Sequence, residues 1–223
     1  MRTLNIETPT HGRVLIQEPA VPSTATIVAC HGYAQSADHL MAELKQIPGS
    51  DTCTLVSVQA LHRFYTRGDS TVVASWMTRQ DRDLAIADNI EYIDRAIDEV
   101  APVGRPSSHV GRPALEGRLF ILGFSQGVAM AYRAALLGRH HVAGIVAVGG
   151  DIPPDVKSVP AERWPRLLIA AGHTDHWFTP DKVAADEAFL QSHGVAHTLL
   201  RYDAGHVFTD DVRAAIAAFF TNA

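Results

Sequence analysis

Cysteine is nearly absent from this chain: Cys30 and Cys53 are the only two in 223 residues. A disulfide framework needs several pairs, so the fold must rest on a hydrophobic core and not on covalent staples. Both thiols sit in apolar stretches, where cysteine behaves as a small hydrophobe, and a reducing, cytoplasmic setting is the expectation. Long apolar runs are missing as well, since no stretch approaches the roughly 18 unbroken apolar residues of a membrane-spanning helix. The opening "MRTLNIETPTHGRVLIQEP" has no apolar core leading to a small-residue cleavage site, which argues against export by a standard signal. Positive charge is scarce: 19 Lys and Arg against 24 Asp and Glu leave a formal net charge of −5. With no basic block, the basic face that nucleic-acid binding requires is excluded. Paired cysteine motifs and a His-Glu-x-x-His helix are also lacking. His173-x-x-His176 and His140-His141 therefore do not make a zinc site, and no metal or other cofactor is expected.

What is present is an ordinary folded chain, 47 % apolar and 19 % charged, long enough for one domain with a sizeable core. Short runs rich in Val, Ile and Leu recur at Ala25–Cys30, Thr54–Val58, Leu119–Leu122, Val142–Val148, Leu167–Ala171 and Thr198–Tyr202. They are continuous, not alternating, as strands covered on both faces should be. Thr3–Ile6 and Arg13–Gln17 flank "TPTHG" and predict an antiparallel hairpin at the edge, within residues 1–20. Between the strands lie helical patterns: Ala37–Ile47, Asp81–Val100, Ser125–Gly138, Asp181–His193 and Thr209–Phe220. The second carries Ile86, Ile90, Ile93, Ile97 and Val100 on one face. Strand alternating with helix predicts an α/β fold with a mainly parallel central sheet and helices on both faces. The stretch Ala101–Gly117 repeats "VGRP", is rich in Gly, Pro and Ser, and precedes a strand. It reads as a surface insert at the end away from any site.

Ligands bind such sheets outside the carboxyl ends of the strands, so the segments that follow strands face the site. One of them is Gly123-Phe124-Ser125-Gln126-Gly127, placed after a strand and opening a helix. That is the setting of a nucleophile elbow, in which a strained turn exposes the serine hydroxyl. Serine needs a base to take its proton. Of 12 histidines, His206 in "DAGHVF" follows the last strand and lies downstream of the serine. His31, His62, His173 and His176 also follow strands and remain as supporting groups. The base in turn needs a carboxylate, and Asp151, Asp155, Asp175 and Asp203 all fall in site-facing loops between Ser125 and His206. Asp175, after the penultimate strand, is favoured, with Asp151 its main rival. The oxyanion would be met by the backbone N–H groups of Gln126 and of Tyr33 in "HGYAQSADHL". Pocket walls are expected from the 61–79 loop and from His176–Phe178, with Phe64, Tyr65, Trp76, Trp177 and Phe178 as substrate contacts. Arg63, Arg67 and Arg79 are available for an anionic group.

The segments "HGYAQSADHL", "SWMTRQDRD", "GFSQGVAMA", "GHTDHWFTP" and "GHVF" together resemble the α/β-hydrolases, and within them the phospholipase/carboxylesterase group that includes the acyl-protein thioesterases. The resemblance runs from about Ala25 to the end of the chain. It implies a triad of Ser125, Asp175 and His206 with oxyanion donors at Tyr33 and Gln126. Two positions depart from the group's pattern: Ala34 stands where a second glycine is usual in His-Gly-x-Gly, and Trp76-Met77-Thr78 replaces Trp-Phe/Tyr-Asp. The expected function is a serine hydrolase acting on carboxylic esters or thioesters of small to medium acyl groups through an acyl-enzyme. Lysophospholipase or acyl-protein thioesterase activity is an alternative within that class. A non-catalytic ligand-binding member is the alternative outside it. The expected partner is a small-molecule ester, with the protein a monomer or homodimer.

Overall fold

The computed structural model describes residues 1–100 and 119–221. Its elements run in chain order as β1 (Arg13–Gln17), β2 (Thr26–Cys30), α1 (Ala37–Leu44), β3 (Thr54–Gln59), β4 (His62–Tyr65), β5 (Val72–Ser75), α2 (Arg82–Val100), β6 (Leu119–Phe124), α3 (Gln126–Leu137), β7 (Gly144–Val148), β8 (Arg166–Gly172), α4 (Pro180–Ser192), β9 (His197–Tyr202) and α5 (Asp210–Thr221). Seven strands form the main sheet in the order β1-β3-β2-β6-β7-β8-β9. All neighbours are parallel except β1, which runs antiparallel to β3. Every residue of β2, β3, β6 and β7 is buried, which is why these strands read as unbroken apolar runs.

Two apolar layers cover the sheet. On one face, Ile93 and Ile97 of α2, Met130 and Ala131 of α3, and Val183 and Leu190 of α4 pack on Val28, Ile121 and Ile145. On the other, Leu40 and Leu44 of α1 and Val212, Ile216 and Phe219 of α5 pack on Ile27, Phe120 and Val146. Burying one such large side chain contributes about 1.5–3 kcal/mol, so each helix stripe outweighs its own weak propensity to fold alone. Helix α1 starts at a capping box, in which Ser36 Oγ accepts from the His39 N–H and His39 Nδ1 accepts from the Ser36 N–H. It stops at Leu44, short of the predicted Ile47.

Three expectations meet a different outcome or none. Arg13–Gln17 is an edge strand, but Thr3–Ile6 forms no strand beside it; the partner is β3, with Leu15 opposite Ser57. A longer apolar strand already fixed in the sheet offers β1 a buried face that Thr3–Ile6, wholly exposed, lacks. The 61–79 segment is not simply a loop either. It folds back as the antiparallel pair β4–β5, closed by Thr66 N–H donating to Thr71 O at 2.9 Å. The Ala101–Gly117 insert lies outside the described residues.

Candidate active site

The strand register brings the site together. Cys30 of β2 is paired with Gly123 of β6, so His31-Gly32-Tyr33 and Phe124-Ser125-Gln126 leave the sheet side by side. This is also where the strand order reverses, with β3 to one side of β2 and β6 to the other. Farther along, Gly172 of β8 is paired with Tyr202 of β9, and His173 N–H donates to Tyr202 O at 2.9 Å. The loops carrying Asp175 and His206 therefore rise together as well.

Ser125 holds φ 53° and ψ −120°, a conformation that L residues rarely adopt. Such backbone strain costs on the order of 1–3 kcal/mol and persists only where the surroundings impose it. Here they do. Ser125 N–H donates to Val148 O at 2.9 Å, and α3 rests so closely on β2 that a Cβ on Gly127 would stand 2.0 Å from the Cys30 carbonyl oxygen. The serine also caps the positive end of α3, which favours negative charge developing beside it.

Asp175 is 3 % exposed. Its Oδ1 accepts the N–H groups of Trp177 at 2.8 Å and Phe178 at 3.0 Å, while Oδ2 stands 2.7 Å from His206 Nδ1. Burial pushes this carboxyl up, but the hydrogen bonds from His206, Phe178 and Trp177 outweigh it and hold it below its ordinary value. An ionised acceptor at Oδ2 places the imidazole proton on Nδ1 and leaves Nε2 as the proton acceptor. The His206 ring packs on Phe124, whose ring centroid is 4.9 Å away. Adjacent Gly149 and Gly150 touch both groups: a Cβ on the first would lie 3.0 Å from the imidazole, and on the second 2.7 Å from the Ser125 carbonyl oxygen.

The rival carboxylates are engaged elsewhere. Asp151 is exposed and pairs with Lys182 at 3.4 Å. Asp155 holds the buried Arg133 through two bonds of 2.7 Å, and Asp203 is exposed. Among the remaining histidines, His31 is fully buried, its Nδ1 2.7 Å from Gly32 O and its Nε2 accepting from Ala60 N–H at 3.0 Å. Burial lowers its pKa to about 4, so it stays neutral and splints the loop after β2 to the end of β3.

In that loop, Gly32 N–H donates to Gln35 Oε1, Ala34 N–H to Ala74 O and Gln35 N–H to Gly32 O. Ala34, in the place of the second glycine, takes φ 57°. Among the described residues, Tyr33 is the one amide of the Gly32–Gln35 stretch without an acceptor.

The five aromatic candidates divide. Tyr65 and Trp177 are 70 % and 72 % exposed, and Phe64 stacks near the oxyanion candidate Tyr33, itself 62 % exposed, with centroids 5.6 Å apart. Trp76 and Phe178, by contrast, belong to the core at 0 % and 1 % exposure and are not pocket walls. Trp76 Nε1 donates to His31 O at 2.7 Å, which draws the indole inward, and Phe178 follows the buried Asp175 into the core. Arg63 is turned aside, donating to His11 O at 2.7 Å. One feature the sequence gives no means to find is the Gln126 side chain, which reaches across to Ser75, Trp76 and Met77.

A family model described as phospholipase/carboxylesterase matches residues 11–201. The fold is also that of several solved structures. The Zea mays acyl-protein thioesterase 2 superposes with a TM-score of 0.71 at 17 % identity, over 95 % of this chain and 99 % of that one. A Bacillus cereus carboxylesterase gives 0.72 at 13 % identity, over 95 % and 94 %. A carboxylesterase from Mesorhizobium loti gives 0.68 at 21 % identity, over 90 % of each chain. No curated protein matches by sequence.

Proposed function

The chain belongs to the phospholipase/carboxylesterase family of α/β-hydrolases, and we propose that Ser125 is the nucleophile with which it cleaves esters. His206 Nε2 takes the Ser125 proton as Oγ bonds to the substrate carbonyl carbon. The carbonyl electrons move onto oxygen, and the Tyr33 and Gln126 N–H groups donate hydrogen bonds to the oxyanion that results. The tetrahedral species collapses, His206 gives its proton to the departing alkoxide or thiolate, and an acyl-enzyme remains. Water, deprotonated by His206, then releases the acid by the same steps in reverse. Asp175 holds the imidazole tautomer throughout and stabilises the imidazolium.

The observation that carries this reading is the 2.7 Å bond from His206 Nδ1 to a buried, ionised Asp175, beside a serine strained at φ 53°. A non-catalytic binder has no use for either. The exposed rim aromatics Tyr33, Tyr65 and Trp177 favour an apolar acyl or alcohol group of small to medium size, entered from open solvent. The same rim suits a thioester-borne or lysophospholipid acyl chain. Two free, buried cysteines fit a cytoplasmic enzyme.

A fluorophosphonate probe tests the assignment. Covalent labelling at Ser125, lost in Ser125→Ala together with turnover of p-nitrophenyl esters, is the expected result. Wild-type turnover in Ser125→Ala refutes the nucleophile. A folded protein that takes no label and turns over no ester is the binder. A panel of acyl esters, thioesters and lysophospholipids then ranks substrates by kcat/KM.

A further inference from the structure

We propose that strand β5 sets the spacing of the oxyanion site, and that the Gln126 side chain is the positioning residue that ties the nucleophile elbow to it. The proposal rests on the reading of Ser125 as nucleophile and of the Tyr33 and Gln126 amides as oxyanion donors. Those two amides follow different strands, Tyr33 in the loop after β2 and Gln126 at the start of α3 after β6, and their separation has to match a single oxygen atom. Both are fastened to one short stretch, Ala74–Met77, which is the end of β5 and the two residues after it. On the Tyr33 side, Ala34 N–H donates to Ala74 O at 3.0 Å and Ala74 N–H donates to Gln35 O at 2.8 Å, a two-bond bridge onto β5. On the other side, Gln126 Oε1 accepts from Trp76 N–H at 3.0 Å, and Gln126 Nε2 donates to Met77 O and to Ser75 Oγ, each at 3.1 Å.

The carboxamide can sit only one way round. Trp76 offers a donor and Met77 an acceptor, so a flipped amide would set N–H against N–H and oxygen against oxygen. Ser75 Oγ completes the network by donating to Met77 O at 2.9 Å while accepting from Gln126 Nε2. Ser75 and Trp76 are 2 % and 0 % exposed, so water cannot replace these bonds. The far side of Trp76 is fixed as well: its carbonyl accepts from Asn89 Nδ2 of α2 at 2.8 Å, and its indole donates to His31 O. The Asn89 bond thus anchors this end of β5 independently of the two loops it spaces, while the indole bond adds a further tie to the loop after β2. Helix α3 meanwhile has its own seat through Ser125 N–H to Val148 O and the contact of Gly127 with Cys30. The carboxamide is therefore spare for folding and specific for aim.

The experiment uses the full chain with Gln126→Leu, which keeps an apolar stem of similar bulk but loses every polar contact, and Ser75→Ala, which removes one hydroxyl link. Steady-state kcat and KM are measured on a p-nitrophenyl ester. The Ki of a trifluoromethyl ketone is measured alongside, because its serine adduct carries the oxyanion. Gln126→Leu is expected to lower kcat about 10- to 100-fold with KM within about twofold, and to weaken the ketone by the same factor as kcat/KM. Ser75→Ala should move both in the same direction by less. Thermal melts are run on each variant. If Gln126→Leu melts earlier but keeps kcat and Ki, the side chain only stabilises and the proposal fails. A rise in KM alone also sinks it, since the side chain would then be meeting substrate. Should Gln126→Leu not fold, an unchanged Ki in Ser75→Ala overturns the proposal by itself. Ser125→Ala is assayed in parallel: its retained turnover would remove the underlying reading, whereas its inactivity beside an unaffected Gln126→Leu removes only the β5 gauge.

Discussion

Replacing Asp175 with Asn changes a single atom of a buried side chain, and the surrounding bonds determine where that atom goes. Oδ1 receives two backbone N–H groups, from Trp177 at 2.8 Å and Phe178 at 3.0 Å. An amide nitrogen placed there would forfeit both bonds, at about 1–3 kcal/mol for each group left unpaired. The asparagine oxygen therefore stays at the Oδ1 position and its NH2 turns toward His206 Nδ1, 2.7 Å away in the native protein. Nδ1 must then act as acceptor, so the ring proton moves to Nε2. That is the nitrogen that accepts the Ser125 proton in the proposed cycle. A loss of about 10⁴ in kcat is expected, equivalent to about 5.5 kcal/mol of transition-state stabilisation. The thermal midpoint should change little, because the two backbone bonds survive. The assay is p-nitrophenyl butyrate hydrolysis at neutral pH with a melt on the same preparation. Asp151→Asn is the comparator. Its exposed partner Lys182, at 3.4 Å, makes a surface pair worth about 0–1 kcal/mol, and kcat should stay within about twofold. The reasoning is refuted if Asp175→Asn keeps more than about a tenth of wild-type kcat.

Two further outcomes concern the frame around the site. His31 is buried with a pKa of about 4 against an ordinary 6.5, so between those values the unfolded chain binds a proton that the folded chain refuses. Stability therefore rises with pH across that window and is lost on acidification through it, by about 3 kcal/mol in all. An NMR titration should show the His31 resonances unmoved above pH about 5, and a midpoint near 6.5 would contradict the burial argument. Asp155→Asn strands the guanidinium of Arg133, whose side chain is 1 % exposed, while the carboxylate it loses was 42 % exposed. The low end of the usual cost, about 3 kcal/mol, should lower Tm by about 6–12 °C. Arg133→Met in the same background should recover much of it, and a single-variant loss below about 1 kcal/mol in urea would show the pair to be dispensable.

The order of strands and helices was readable because burial on both faces leaves an unmistakable mark: Thr26–Cys30 and Gly144–Val148 have no polar face to disguise them. The loops carrying Ser125 and Asp175 were readable for the same reason, since each follows such a run, whereas His206 follows an edge strand in which only Tyr202 is buried and was placed by its position after the last apolar run. What escaped is everything set by partners distant in sequence. Arg13–Gln17 reads as half of a local hairpin because nothing in its own residues names β3. His62–Tyr65 is exposed almost throughout and Val72–Ser75 is buried beyond its first residue, each over only four residues, so their pairing left no periodic signal. An aromatic side chain in a loop looks the same whether it faces substrate or core. Trp76 and Tyr65 stand 0 % and 70 % exposed, with nothing in the neighbouring residues to tell them apart. The carboxamide of Gln126 is a further case, because its partners Ser75, Trp76 and Met77 are placed by the hairpin whose folding was not foreseen.

The seat of Gly127 on the Cys30 carbonyl has a consequence for when the chain becomes reactive. The strained turn at Ser125 exists only while the end of β2 and the start of α3 are pressed together, at a distance that leaves no room for even a methyl group. Cys30 is in turn held by its pairing with Val58 on one side and Gly123 on the other. On the proposed reading of Ser125, the reactive turn is thus assembled by the centre of the sheet, and a partly unravelled chain carries an ordinary serine. The proposed reactivity toward acyl groups is then a property of the completed fold and not of the Gly-x-Ser-x-Gly sequence by itself.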